Sequence, residues 1–128
     1  MTRKTFGMLI LAVLVVGTAA CYRPYGHHFY PDTPRFAPTD PAHVELLRRD
    51  PKRPHVRIGE VWIRPDPMMS RAYVEGTLAE QAARMGADAV VIVVDKYFRE
   101  PVYRYSYYYG PMTYQERQIV GVAIRFQK

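Results

Sequence analysis

The most regular hydrophobic pattern of the chain runs from Ser70 to Tyr97. In its first half, apolar residues recur every three or four positions, which places them on one face of a helix. Gly86 follows the last of them, and glycine is the residue that best accepts the left-handed cap of a helix. The second half, residues 89–94, is short, apolar and rich in β-branched residues, so it predicts a buried strand. The apolar helical positions are Val74, Leu78, Ala82 and Met85.

Two features of this helix have alternative interpretations: the residue that caps its N-terminus and the role of the glycine in its interior. Asp66 and Ser70 are both candidates for the N-cap, because a short side-chain oxygen accepts an otherwise unpaired backbone N–H. Gly76 lies inside the helix, where glycine costs about 1 kcal/mol relative to alanine. It either allows a close approach to the sheet or is simply tolerated.

Two shorter strands are predicted before the helix, over residues 43–46 and 55–64. In the longer one the apolar residues change parity near Gly59-Glu60, so a strict period of two cannot bury all of them. A β-bulge at that point restores the register, whereas a central strand that is apolar on both faces needs none. The two apolar pairs are Val56 with Ile58 and Val61 with Ile63.

After the buried strand, residues 98–118 predict a hairpin arm that is rich in tyrosine and arginine, with a turn at Gly110-Pro111. The final strand, residues 118–126, carries Gly121 and Ala123 on one face, which indicates close packing there. The predicted fold class is α+β, with a small, mostly antiparallel sheet of about four strands and one helix on one face, in the order β-β-α-β-β. The second face of residues 89–94 then needs cover from the arm or from another subunit.

The N-terminus has the pattern of a secretory signal. Arg3 and Lys4 precede an apolar run, and small residues follow it up to Ala20. Cys21, the only cysteine of the chain, comes directly after these small residues. An ordinary cleaved signal would leave it as a free thiol in an oxidising compartment, which is unusual.

The segment Thr18-Ala19-Ala20-Cys21 resembles the lipobox of bacterial lipoprotein precursors in its last three positions and departs from it at Thr18, where Leu, Val or Ile is usual. The resemblance implies that residues 1–20 are a lipoprotein signal peptide and that Cys21 carries palmitate and other acyl chains, a permanent anchor. It also implies a cell-envelope location, in the outer membrane with the domain facing the periplasm, because Tyr22 and not aspartate follows the cysteine. Anchoring in the inner membrane, with the domain on its periplasmic side, is the alternative location.

Residues 21–42 predict an extended tether, because prolines remove backbone donors and favour polyproline conformations. His27-His28 within it invites a metal interpretation. Adjacent histidines on a flexible tether supply at most two ligands without fixed geometry, so solvated side chains are favoured and no metal site is predicted. Residues 43–128 are then a single domain, in keeping with 48% hydrophobic residues.

The chain lacks the motifs of common catalysts and cofactor sites. No HExxH, CxxC or glycine-rich phosphate loop is present, and no serine or cysteine has the context of a nucleophile. Glu60 beside Trp62 is either an inward carboxylate or, more commonly, a strand-edge charge. Asp88 is expected to bond backbone N–H groups at the helix-to-strand turn. The net charge of +6 is scattered, which suits solubility or an anionic membrane and does not indicate nucleic acid. The sequence therefore predicts a non-enzymatic protein without a cofactor.

Four short segments together resemble the YbjQ-type family, which is labelled as heavy-metal-binding, and the related small envelope lipoproteins of the RcsF type. The resemblance covers residues 56–126 and implies an α+β domain, with ring-forming oligomers in the YbjQ-type branch. The RcsF-type branch carries structural disulfides, and this domain has no cysteine. The segments are Ile58–Val61, Leu78–Ala83, Gly86–Val91 and Val120–Ala123.

The tyrosine-rich arm is the strongest candidate for a working surface, because tyrosine and arginine bury area while they keep a polar group available. The alternative is that its tyrosines pack on the open face of the sheet within one chain. We expect a membrane-anchored binding or sensing module that contacts a protein partner or a second copy of itself. A periplasmic metal- or small-ligand-binding lipoprotein is the alternative. The candidate interaction residues are Tyr103, Tyr105, Tyr107, Tyr108, Tyr109, Arg99 and Arg104.

Overall fold

The structure is a computed structural model that describes residues 23–106 and 110–128, with the side chains of residues 99–115 outside the description. It has an α+β fold with one α-helix and a five-stranded mixed sheet in the order β1-β3-β5-β4-β2. The chain forms β1 (Tyr25–Phe29), a 3-10 turn (Pro41–His43), β2 (Glu45–Leu47), β3 (His55–Ile63), α1 (Arg71–Arg84), β4 (Ala89–Ser106) and β5 (Gly110–Phe126).

Three of the four strand pairings are antiparallel, and the short β2 pairs in parallel with the start of β4. The predicted class and the mostly antiparallel sheet are confirmed, but the strand count is one too low. The missed strand is β1, which pairs with β3 from Tyr25↔Ile63 to Phe29↔Gly59. The prediction of an extended tether is therefore wrong for Tyr25–Phe29, which are part of the sheet.

A second part of the predicted tether, residues 35–39, is also held against the domain. We call it the strap, and it lies across the end of α1. The Thr39 backbone N–H donates to the Ala83 carbonyl at 2.9 Å, and its hydroxyl donates to the Ala87 carbonyl at 2.6 Å. Phe36 packs against the core cluster. The strap is thus hydrogen-bonded both to the last turn of α1 and to the residue that follows Gly86.

The helix follows the sequence pattern closely. Ser70 is the N-cap, and its side chain accepts a hydrogen bond from the Tyr73 backbone N–H, as one of the two candidates predicted. Gly86 has a φ of 81°, which confirms the left-handed cap. A Cβ on Gly76 would meet nothing within 4 Å, so the close-approach interpretation of this glycine is wrong. The four predicted apolar positions are all buried, with Val74 the most exposed at 6%.

A β-bulge is present in β3, but it lies between Arg57 and Gly59, just before the predicted Gly59-Glu60. It brings Ile58, Val61 and Ile63 into the same core, each at 0% exposure. On β5, the predicted close packing at Gly121 is also present, because a Cβ there would collide with the Val90 side chain.

The sheet face away from α1 is only partly covered. Its Ala89, Val91 and Ile124 form a second buried cluster with Leu47 and Phe126 packed against it. The connection 48–54 runs beside this cluster, where Arg53 stacks over the Phe126 ring at 4.4 Å from the centroid. For these residues the cover comes from the chain itself, which corrects the expectation that the arm or another subunit supplies it.

Candidate functional site

The uncovered part of this second sheet face, here called the open face, carries the single tryptophan of the chain. Trp62 on β3 is paired in register with Val120 on β5, which is paired with Val94 on β4. These three residues are half-buried, and the neighbouring Val93 is 55% exposed. A row of apolar side chains therefore faces outward across three strands.

Trp62 is held in place by a glycine on the edge strand. Gly26 is its register partner on β1, and a Cβ on Gly26 would lie 2.9 Å from the indole Cζ2 atom. An aromatic ring that covers a cross-strand glycine stabilises both strands at this point. The indole forms one side of a shallow depression of 260 Å³, which is also lined by Glu60, Arg64, Gln118 and Val120.

Glu60 is half-buried and shared between two partners at the edge of the open face. The Tyr30 hydroxyl donates to its Oε1 at 3.0 Å, and His28 Nε2 lies 3.6 Å from its Oε2. Burial and the hydrogen bond to Glu60 raise the pKa of Tyr30. The interpretation of Glu60 as an inward carboxylate is therefore wrong. Its carboxylate instead joins β3 to the segment that follows β1.

The second concave feature is a groove of 440 Å³ between the first half of α1 and the base of the hairpin. Its floor is apolar and its rim is charged, which is the usual lining of a site for a small ligand. We call it the arginine groove after its three cations. The floor consists of Leu46, Val74, Leu78, Ile92 and Ile119, and the rim of Arg48, Arg71, Glu75, Asp95 and Arg117.

The rim is organised around Asp95. Arg117 binds its carboxylate through two hydrogen bonds, and Arg48 adds a third at 3.3 Å. The hydrogen bond from Arg117 is the main cause that lowers the pKa of Asp95. Two guanidinium groups on one carboxylate leave an excess of positive charge, and Arg48 is the more exposed, at 66%. The rim therefore suits a ligand with an apolar body and an anionic head.

The two adjacent histidines do not form a site together. His27 and His28 are neighbours in β1, so their side chains lie on opposite faces of the sheet. His27 Nδ1 lies 2.6 Å from Oε1 of the buried Gln81 on α1, while His28 approaches Glu60. Within residues 23–98 and 116–128, whose side chains are described, no three His, Cys, Asp or Glu residues are grouped as metal ligands.

Asp88 does not simply fix the helix-to-strand turn. Its carboxylate accepts a hydrogen bond at 3.0 Å from the backbone N–H of Phe126, a residue of β5. Arg125 Nε lies 3.8 Å from the same carboxylate, and its Nη1 donates to the Gly86 carbonyl. Asp88 and Arg125 therefore attach the last strand to the end of α1.

The predicted arm coincides with the part of the hairpin that extends beyond the rest of the sheet. The backbones of Arg99, Tyr103, Arg104 and Tyr105 lie in β4, and β4 pairs with β5 as far as Ser106↔Gly110. Their side chains fall outside the described residues, as do Tyr107, Tyr108, Tyr109 and the lipid-attachment candidate Cys21. The interaction surface predicted for these tyrosines stays a prediction.

The sequence did not point to the arginine groove, and it indicated an uncovered sheet face only at residues 89–94 and not around Trp62. Both depend on which residues of distant strands are register partners, for example Asp95↔Ile119 and Trp62↔Val120. The one local signal was Asp95 itself, a charge placed directly after an apolar strand.

Within the described part of the chain, none of the helices has the length and apolar character needed to span a bilayer. Comparison of the sequence with protein-family models and with curated proteins, and of the structure with solved structures, finds no significant match.

Proposed function

We propose that this chain is a lipid-anchored protein of the bacterial cell envelope, whose domain binds a protein partner or a second copy of itself and performs no catalysis. The anchor is supported by a secretory signal that ends in small residues immediately before Cys21, the only cysteine. The resemblance to YbjQ-type and RcsF-type domains agrees with this proposal and stays a hypothesis.

The observation that carries the binding role is the apolar open face. Val93 is 55% exposed, and Trp62, Val94 and Val120 beside it are half-buried, on the sheet face opposite α1. Apolar side chains that are contiguous and rimmed by charges are typical of protein interaction sites. Arg64 and Lys96 are exposed at the margins of this face, and Glu60 is half-buried there. Of these, Glu60 would help to fix the orientation of a partner.

In-cell photocrosslinking tests the proposal. A benzophenone amino acid at position 93 on the open face is compared with one at position 80 on the exposed side of α1. Val122 is half-buried on the same face, as the register partner of Val91. We expect a discrete adduct from position 93 that is lost when Val122→Arg is added, and none from position 80. An adduct of twice the chain mass identifies a second copy. Equal labelling from both positions, or none from position 93, contradicts the proposal.

The arginine groove supports a second candidate function, a lipoprotein that binds a small ligand. Its volume of 440 Å³ lies in the range of ligand sites, and its apolar floor and cationic rim suit a medium-chain carboxylate. Titration calorimetry with decanoate, zinc and copper separates the candidates. Micromolar binding of decanoate that Arg48→Ala abolishes favours this function, and stoichiometric metal binding favours the metal alternative.

A further inference from the structure

The two ends of the sheet differ in a way that bears on how the domain sits in the envelope. At one end, called the arm end, β3 finishes at Ile63, which is paired with Tyr25 at the start of β1 and with Ile119 on β5. Only at this end do β4 and β5 continue beyond their neighbours as a two-stranded ribbon. At the opposite end lie the start of β4, the end of β5 and the C-terminus of α1.

The chain enters the domain at the arm end. The Pro24 carbonyl accepts a hydrogen bond of 2.7 Å from the Arg64 backbone N–H, so the sheet begins as soon as the described chain does. Cys21 precedes Tyr25 by four residues, which span at most about 14 Å when fully extended. An acylated Cys21 would therefore hold the arm end, and no other part of the domain, close to the bilayer.

The ribbon is longer than this connection. Residues 95–106 of β4 extend for roughly 36 Å at 3.3 Å per residue. A two-stranded ribbon of this kind is marginally stable when surrounded by water alone. Because the ribbon starts at the end that an acylated Cys21 would hold down, and exceeds the reach of that connection, it is long enough to contact the bilayer.

The exposed apolar side chains are concentrated at the same end. Met68, 91% exposed, lies between β3 and α1, and Tyr73, 50% exposed, lies in the first turn of α1. Tyr97 and Phe98, which are 65% and 42% exposed, follow Asp95 in β4, at the start of the ribbon. At the opposite end, the aromatic residues Phe36 and Phe126 are half-buried and each is stacked by an arginine.

We infer that the arm end is a membrane-contacting surface that rests in the headgroup layer, with Met68, Tyr73, Tyr97 and Phe98 inserted and the ribbon lying against the bilayer. Tyrosine is comfortable at this depth because its ring is apolar and its hydroxyl is polar. The exposed Arg64 and Lys96 complement anionic headgroups. The inference rests on the proposed lipid anchor, and it leaves the open face turned sideways, accessible to a protein.

Fluorescence quenching by brominated lipids tests this orientation. The acylated full-chain product is purified from membranes in a Trp62→Phe background and reconstituted into vesicles of phosphatidylethanolamine and phosphatidylglycerol with brominated acyl chains. Met68→Trp reports on the arm end and Lys128→Trp on the opposite end, and both positions are exposed. We expect about twofold quenching for Met68→Trp relative to unbrominated vesicles, and none for Lys128→Trp. Matching circular dichroism spectra establish that both variants fold.

A second preparation separates failure of the orientation from failure of the anchor. If the purified chain does not float with vesicles, the proposed anchor is wrong. Residues 21–128, which contain every described element, are then coupled through Cys21, the only thiol, to a maleimide lipid. Quenching of Met68→Trp alone in the coupled protein supports the orientation. Equal quenching at both positions, or no quenching of Met68→Trp in protein that floats, overturns it.

Discussion

Arg117 holds Asp95 with two parallel hydrogen bonds, Nε to Oδ1 at 2.9 Å and Nη2 to Oδ2 at 3.0 Å. The two residues belong to the adjacent strands of the hairpin, where the ribbon leaves the five-stranded sheet. Their side chains are 33% and 23% exposed. A bidentate pair of this geometry is stronger than an ordinary surface ion pair, so it fixes the base of the ribbon and the rim of the arginine groove.

The pair makes stability depend on pH in the acidic range. The pKa of Asp95 is lowered from 3.8 by the hydrogen bond from Arg117, with Arg48 adding to the effect. The contribution of Asp95 is therefore complete above the unfolded value and is lost as pH falls through the lower, folded value. We expect Asp95→Asn to cost about 1 kcal/mol at pH 7, and the cost to shrink below about pH 4. Urea unfolding of the natural chain and of Asp95→Asn across pH 2–7 measures this difference in the free energy of unfolding.

The control for this experiment is Asp32→Asn, since Asp32 is exposed in the turn after β1. Its unfolding free energy should differ from that of the natural chain by less than about 0.5 kcal/mol at every pH. An Asp95→Asn difference that stays constant down to pH 2 would show that the ion pair adds nothing to stability.

Two glycines of the helical segment should respond in opposite directions to the same substitution. Gly76 is exposed, has open space around its Cα and does not have a positive φ, so Gly76→Ala should stabilise the domain by about 0.5–1 kcal/mol. Gly86 has a φ of 81°, and a Cβ there would lie 2.6 Å from the Phe36 Cβ. Gly86→Ala should therefore cost about 2 kcal/mol or more. Thermal unfolding compares the two variants directly, and equal effects would contradict the assignment of Gly86 as the helix cap.

The parts of the fold that local spacing determines could be predicted from the sequence. The helix, its cap at Gly86 and the parity change in β3 all follow from residues within a few positions of one another. The strand β1 could not be predicted, because its pairing with β3 joins residues thirty or more positions apart (Phe29↔Gly59 is the nearest pair) and five prolines in residues 22–42 resemble a tether. The arginine groove was missed for the same reason, because the register between β4 and β5 brings its rim residues Asp95 and Arg117 together.

Lipid attachment is tested at Cys21 in cells. Labelled palmitate should be incorporated into the full chain, and Cys21→Ala should abolish the label and release the protein into the periplasmic fraction. Thr18→Leu restores the usual first residue of the lipobox and should be processed at least as completely, which makes it the matched control. If Cys21→Ala stays with the membranes after a high-salt wash, the anchor proposal is wrong.

The strap should contribute to folding, which a solvated tether would not. Phe36 is half-buried, packs against the core cluster and Gly86, and lies beneath Arg125, whose Cζ is 4.9 Å from the ring centroid. Phe36→Ala should therefore lower the free energy of unfolding by about 2 kcal/mol, less than the loss for a fully buried phenylalanine. Phe98→Ala removes the same atoms from a side chain that is 42% exposed and should change it by less than about 0.5 kcal/mol. Guanidinium unfolding in the absence of lipid measures both variants. If the two variants lose the same small amount of unfolding free energy, residues 35–39 are a solvated tether and not a strap.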